Sequence, residues 1–262
     1  MNEYFLTYCF YVGLLLTLLI VFGFGFHWLV ISGWKNFSKK FGAYAFVPRL
    51  IGTPVHEIGH LIFAVLTGSK VKRVKLFPKI TRQNSGGAFV EFTPKKGLLG
   101  SLSCFLCGIG PMIFCPSVIM VLMYELTPTL FQSILSVFSH VSIIDKDNVW
   151  DVIFNVLQGF FGSFHVNMLE EWRFWFFLVL AIPIANECVL SGADIKNAGK
   201  GFLMLVLLLV AGGFVLSFFP EVSAIVILGL AKAAGLLLCV LSLALVFNII
   251  YFFTGKMVSL FL

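Results

Sequence analysis

Apolar residues along this chain fall in runs too continuous for the amphipathic elements of a soluble domain. Six stretches, at roughly 5–33, 44–67, 98–125, 172–190, 201–219 and 222–253, are almost unbroken hydrocarbon. Each is close to or beyond the ~20 residues a helix needs to cross a bilayer, so six transmembrane helices are predicted. The first run exceeds the apolar core of a secretory signal and lacks a basic start and a small-residue cleavage site. It is therefore expected to be a retained span. Between the second and third runs, "KVKRVKLF" and "GGAFVEF" partly alternate in polarity and are separated by Pro78 and the turn residues 84–87. That pattern predicts a short β-hairpin. Between the third and fourth, Trp150, Ile153, Phe154, Leu157, Phe160 and Phe161 recur at helical spacing, which predicts an amphipathic helix lying in the membrane interface. The expected fold class is an α-helical polytopic membrane protein, one domain over residues 1–262.

Composition strengthens this picture. Of 262 residues, 60% are apolar and 11% charged, against roughly 45–50% and about 25% in soluble domains. A soluble fold of this length could not hide so much hydrocarbon, which excludes a soluble enzyme, a disordered chain and a disulfide-stapled secreted domain. The net charge of +6 does not point to nucleic acid, because the cations flank membrane runs. Residues 68–97 carry eight of them: Lys70, Lys72, Arg73, Lys75, Lys79, Arg82, Lys95 and Lys96. Residues 126–171 are dominated instead by Asp145, Asp147, Asp151, Glu170 and Glu171. Placing the basic segment in the cytoplasm orients the chain; the short loop with Lys196 and Lys200 then falls inside, Glu221 outside and Lys256 inside. Lys35, Lys39 and Lys40 run against that orientation. The CxxC pair Cys104 and Cys107 lies in an apolar run and is a weak metal or redox signal.

The second run contains His56-Glu57-Ile58-Gly59-His60. On a helix, residues i and i+4 share a face, so both imidazoles can converge on one ion. Glu57 is rotated about 100° from His56, placed to take a proton from water without being a ligand. Two neutral nitrogen ligands and one carboxylate base are the requirement of a zinc hydrolase. Chance would produce HExxH in a chain of this composition with a probability of roughly 0.4%. Two His and a Glu within hydrocarbon also cost several kcal/mol unless a cation or partner compensates. A catalytic zinc takes three protein ligands and keeps one position open. The carboxylates available as the third are Glu91, Glu125, Glu170, Glu171, Glu187 and Asp194. Only Glu187 and Asp194 share the depth of the two His under the charge-derived orientation. Asp194 is preferred, because small residues precede it, and Glu187 is the alternative.

These motifs resemble those of the site-2 proteases, zinc peptidases that cut inside the membrane. "HEIGHLIFAVLTG" is similar to the family's HExGH helix, with Ala64 as its small residue four places on. A basic β-hairpin segment follows, then a span with Gly110-Pro111, then Asn186 and Asp194 eight residues apart. The resemblance covers roughly 44–200. It implies core catalytic spans at about 44–67, 98–125 and 172–200, with peripheral spans at 5–33, 201–219 and 222–253. It further implies Zn2+ held by His56, His60 and Asp194, Glu57 as catalytic base, and Asn186 in contact with substrate or oxyanion. The family's prolines between Asn and Asp are replaced by "ECVLSGA", and Ile195 follows the Asp where Gly is usual. The expected activity is hydrolysis of a peptide bond in or near the transmembrane segment of a membrane-anchored protein or peptide. The substrate would unwind and could add as a strand to the 70–92 hairpin. The expected location is a prokaryotic cell membrane, with the active site toward the cytoplasm. A non-catalytic metal-binding membrane scaffold and a metal transporter are the alternatives. His27 reads as a packed or interfacial residue.

Overall fold

The computed structural model describes residues 3–80, 85–140, 154, 158, 162 and 166–261. Among the described residues, seven α-helices and four short strands carry the fold. The helices are α1 (Glu3–Phe41), α2 (Arg49–Leu66), α3 (Leu98–Leu126), α4 (Pro128–His140), α5 (Trp172–Asn186), α6 (Gly192–Leu216) and α7 (Pro220–Phe261). The strands β1 (Lys70–Lys75), β2 (Lys79–Ile80), β3 (Ser85–Gly86) and β4 (Phe89–Thr93) lie between α2 and α3. The expected interfacial helix around 150–161 falls almost wholly outside the described residues.

The protein is a helical membrane protein in its long apolar helices. Among the described residues, the helices around α1, α3, α6 and α7 are long and apolar enough to cross a bilayer. The second and fourth expected spans are different objects. α2 has 18 residues, about 27 Å, but Arg49, His56, Glu57 and His60 dilute its hydrocarbon. α5 has 15 residues, about 22 Å, short of the usual thickness. α2 buries its polar face, Thr53, His56, Glu57 and His60 included, so its polar groups face protein rather than lipid. That is the arrangement a bilayer permits.

Close helix approach organises the interior, as it must where lipid offers no hydrophobic drive to association. A Cβ built on Gly108 of α3 would lie 2.7 Å from Asp194 O and 2.7 Å from Ala198 N of α6. One on Gly59 of α2 would lie 3.0 Å from Pro111 Cα of α3. One on Gly52 of α2 would collide with the Pro183 carbonyl of α5. α2 therefore sits in backbone contact with α3 and α5, and α3 with the first turns of α6. Replacing Gly108 with Val is expected to force α3 and α6 apart, at a cost of about 1–3 kcal/mol. Denaturant titration in micelles would measure this, and an unchanged unfolding midpoint would refute the close contact.

Two expectations change here. The predicted hairpin is present and more elaborate. β1 pairs antiparallel with β4, Lys70 opposite Thr93 and Lys75 opposite Phe89, with a bulge between Val71 and Arg73. Inside it, β2 and β3 form a second antiparallel pair. The stretch 191–200, expected as a loop, is instead the start of α6. Ser191 caps it: its side chain accepts from the Asp194 N–H, while its own N–H donates to the Asp194 carboxylate. This reciprocal capping box starts the helix within the break between the apolar runs 172–190 and 201–219.

Candidate metal centre

The two His of α2 are oriented from behind by main-chain carbonyls. His56 Nδ1 lies 2.6 Å from the Glu187 carbonyl oxygen, and His60 Nδ1 lies 2.7 Å from that of Cys107. A carbonyl only accepts, so each Nδ1 carries the hydrogen and donates it. In the neutral rings this leaves both Nε2 lone pairs free on the other side. The two Nε2 atoms face each other at 3.0 Å. Asp194 completes the group, Oδ1 being 3.1 Å from His60 Nε2 and Oδ2 3.6 Å from His56 Nε2.

Two lone pairs and a carboxylate aimed at one point repel unless a cation lies between them. Tetrahedral ligands about 2.0–2.1 Å from a zinc ion stand roughly 3.3 Å apart, which is the spacing found here. One ligand atom from each of His56, His60 and Asp194 lies within 4.8 Å of the others, and this group can hold a metal ion. All three are buried, none more than 8% exposed. The carbonyl contacts at Nδ1 are the outer support that metal-binding imidazoles usually have. Asp194 is held in its turn, the Ser191 N–H donating to its Oδ2 at 2.7 Å. Its place in the first turn of α6 also puts a carboxylate at the positive end of the helix dipole.

The group opens on a cleft of about 390 Å³. Glu57 lines it beside the ligands, and so do Ala88, Phe89, Val90 and Phe92 of the hairpin. β4 pairs only with β1 among the described residues, so its other edge has no strand partner there. α1 contributes His27, Ile31 and Trp34, although His27 reads from sequence as a packed or interfacial residue. His27 and Leu190 also line a second, largely apolar cleft of about 420 Å³ between α1, α3 and α6. Asn197 lines the metal cleft too. Its signal was present in the sequence: once 192–200 is helical, Asn197 stands one turn beyond Asp194.

The remaining candidates are placed elsewhere. Glu187, the alternative ligand, turns its carboxylate to Arg49, with Nε to Oε1 at 2.6 Å. Asn186 is not among the residues lining the cleft; its amide is buried, with neither Oδ1 nor Nδ2 hydrogen-bonded among the described residues. Glu91 pairs across the hairpin with Arg73 at 2.7 Å, at the protein surface. Surface pairs of this kind contribute about 0–1 kcal/mol. Glu91→Gln is accordingly expected to leave metal stoichiometry unchanged, and elemental analysis of the purified variant would reveal any loss. Cys107 serves through its carbonyl rather than its thiol. No family model, curated protein or solved structure matches the chain, so the functional reading rests on the chemistry of the site itself.

Proposed function

We propose that this protein is an intramembrane zinc metalloprotease of the kind its motifs resemble, hydrolysing a peptide bond in or near the transmembrane segment of an anchored substrate. The observation that carries the reading is the convergence of His56 Nε2, His60 Nε2 and an Asp194 oxygen beside Glu57 in one cleft. A site that only held a structural ion would have no use for a buried carboxylate at that place.

His56, His60 and Asp194 would hold the ion, which when bound supplies Lewis acidity and lowers the pKa of water toward 7. Glu57 receives the proton of the attacking water on its carboxylate and returns it to the leaving amine. The open edge of β4 receives the unwound substrate as an added strand, with main-chain hydrogen bonds replacing those lost from its helix. Ala88, Phe89 and Val90 along the cleft support that placement. The basic hairpin beside the cleft favours a cytoplasmic-side active site in a prokaryotic cell membrane.

Comparing membrane-protein fragments from cells carrying the wild type and Glu57→Gln tests the proposal. Matching fragment maps under several growth conditions would favour a metal-binding scaffold, and metal flux in proteoliposomes would favour a transporter.

A further inference from the structure

Three residues from three helical segments end on one metal-ligating imidazole. Arg49, at the start of α2, meets Glu187 with both arms of its fork: Nε to Oε1 at 2.6 Å and Nη2 to Oε2 at 3.3 Å. Its guanidinium carbon lies 4.5 Å from the centre of the Trp34 ring of α1. Glu187 follows directly after α5, and its carbonyl is the acceptor for His56 Nδ1–H. One residue therefore grips α2 twice, by side chain at Arg49 and by main chain at His56, about two turns apart.

The Glu187 carbonyl lies beyond the end of α5, where carbonyls have no intrahelical partner, so it can serve another element. Its peptide plane is tied back to α5 by the Cys188 N–H, which donates to the Ala185 carbonyl, and the Cys115 thiol lies 4.0 Å from the same Glu187 oxygen. What these contacts leave to the Glu187 side chain is where this end of α5 sits against α2. Its carboxylate is 6% exposed and the Arg49 side chain 19%. Such a pair is a poor source of stability, since apolar replacements of both partners are commonly neutral or better. Its geometry therefore calls for another role. A bidentate fork fixes both distance and angle, and the aromatic face of Trp34 holds its plane.

We propose that Arg49 and Glu187 are positioning residues of the metal centre. Their ion pair, braced by Trp34, fixes the Glu187 carbonyl so that His56 keeps its hydrogen on Nδ1 and directs Nε2 at the ion. Helix α1, far from the motif in sequence, thereby acts on the ligand set through Trp34. The inference rests on the reading of His56, His60 and Asp194 as a metal site.

The test uses full-length protein in detergent micelles, with zinc or cobalt ions alone as probes. Arg49→Met combined with Glu187→Leu removes both charges together. This double variant is expected to unfold, metal-free, at the wild-type midpoint. Its zinc affinity, measured by chelator competition, should fall about 10–100-fold, and the visible bands of bound cobalt should shift. Arg49→Lys keeps the charge but not the fork, and should lose affinity to a lesser degree. A folded double variant with wild-type zinc affinity overturns the proposal. Should that variant not fold, Arg49→Lys with wild-type affinity overturns it equally. Failure of the wild type to bind zinc would instead sink the metal-centre reading, a different result from equal binding by all three proteins.

Discussion

Cells carrying Glu57→Gln are expected to accumulate a small set of uncut membrane-anchored proteins while the variant still binds zinc. Removing a positioned general base costs typically 10²–10⁴-fold in rate, so cleavage over a normal growth period should fall from complete to barely measurable. Metal binding should survive. His56, His60 and Asp194 are untouched, and the two carbonyls that orient the imidazoles belong to Glu187 and Cys107. Glutamine also keeps the volume of a buried side chain lining the cleft. The paired measurement is quantitative membrane proteomics with elemental analysis of the purified variant. Cleavage at wild-type rate with zinc bound would remove Glu57 from the chemistry. Loss of zinc in the variant would show that Glu57 supports the ligand set itself.

The second large effect separates the two roles of Asp194. Its carboxylate faces both imidazoles and also accepts the Ser191 N–H. Asp194→Asn can keep the cap, because an amide oxygen also accepts that N–H, though more weakly than a carboxylate, but it brings no negative charge to the ion. Zinc affinity should drop by at least about 100-fold, beyond the loss typical of an outer-sphere change, with the metal-free unfolding midpoint little altered. Asp194→Ala loses the same affinity and the cap as well, a further ~0.5–2 kcal/mol. Zinc titration and denaturant unfolding of both variants check this. Equal stability of Asn and Ala would deny the capping role, and wild-type affinity in Asn would deny the ligand role.

The order of long helices was legible because a bilayer imposes one strong rule on a sequence, an apolar run of a given length. The two His and Glu57 were legible because polar residues in such a run require a reason. Lys and Arg set the depth that left Asp194 and Glu187 as third-ligand candidates, and the small residues before Asp194 favoured it. What was missed depended on contacts distant in sequence. Glu187 reads from sequence only as the alternative ligand, because its partner Arg49 lies 138 residues away. The helical start of α6 lies in the break between two apolar runs, so run length alone does not show it; Ser191 and Asp194 have the spacing of a capping box there. The share of α1 in the cleft had no sequence signal, since its near-uniform hydrocarbon does not say which side meets protein. α5 is the reverse case, a run of sufficient apolar length whose helix stops at Asn186, five residues before the next cap.

On the proposed reading, that cap would make the bundle a gauge of metal supply. The carboxylate that closes the first turn of α6 is also one of the three groups that can hold an ion, so local folding there and metal loading would be linked equilibria. Bound zinc would tie this turn to α2 and slow the exchange of the amides of 191–197. Stripping the ion would leave the three groups without a shared counter-charge and lower the free energy at which the turn opens. Hydrogen exchange there would report occupancy without any substrate. In a cell, the same opening would expose the 187–191 connection to quality-control proteases, so the lifetime of the protein would follow the zinc available to it.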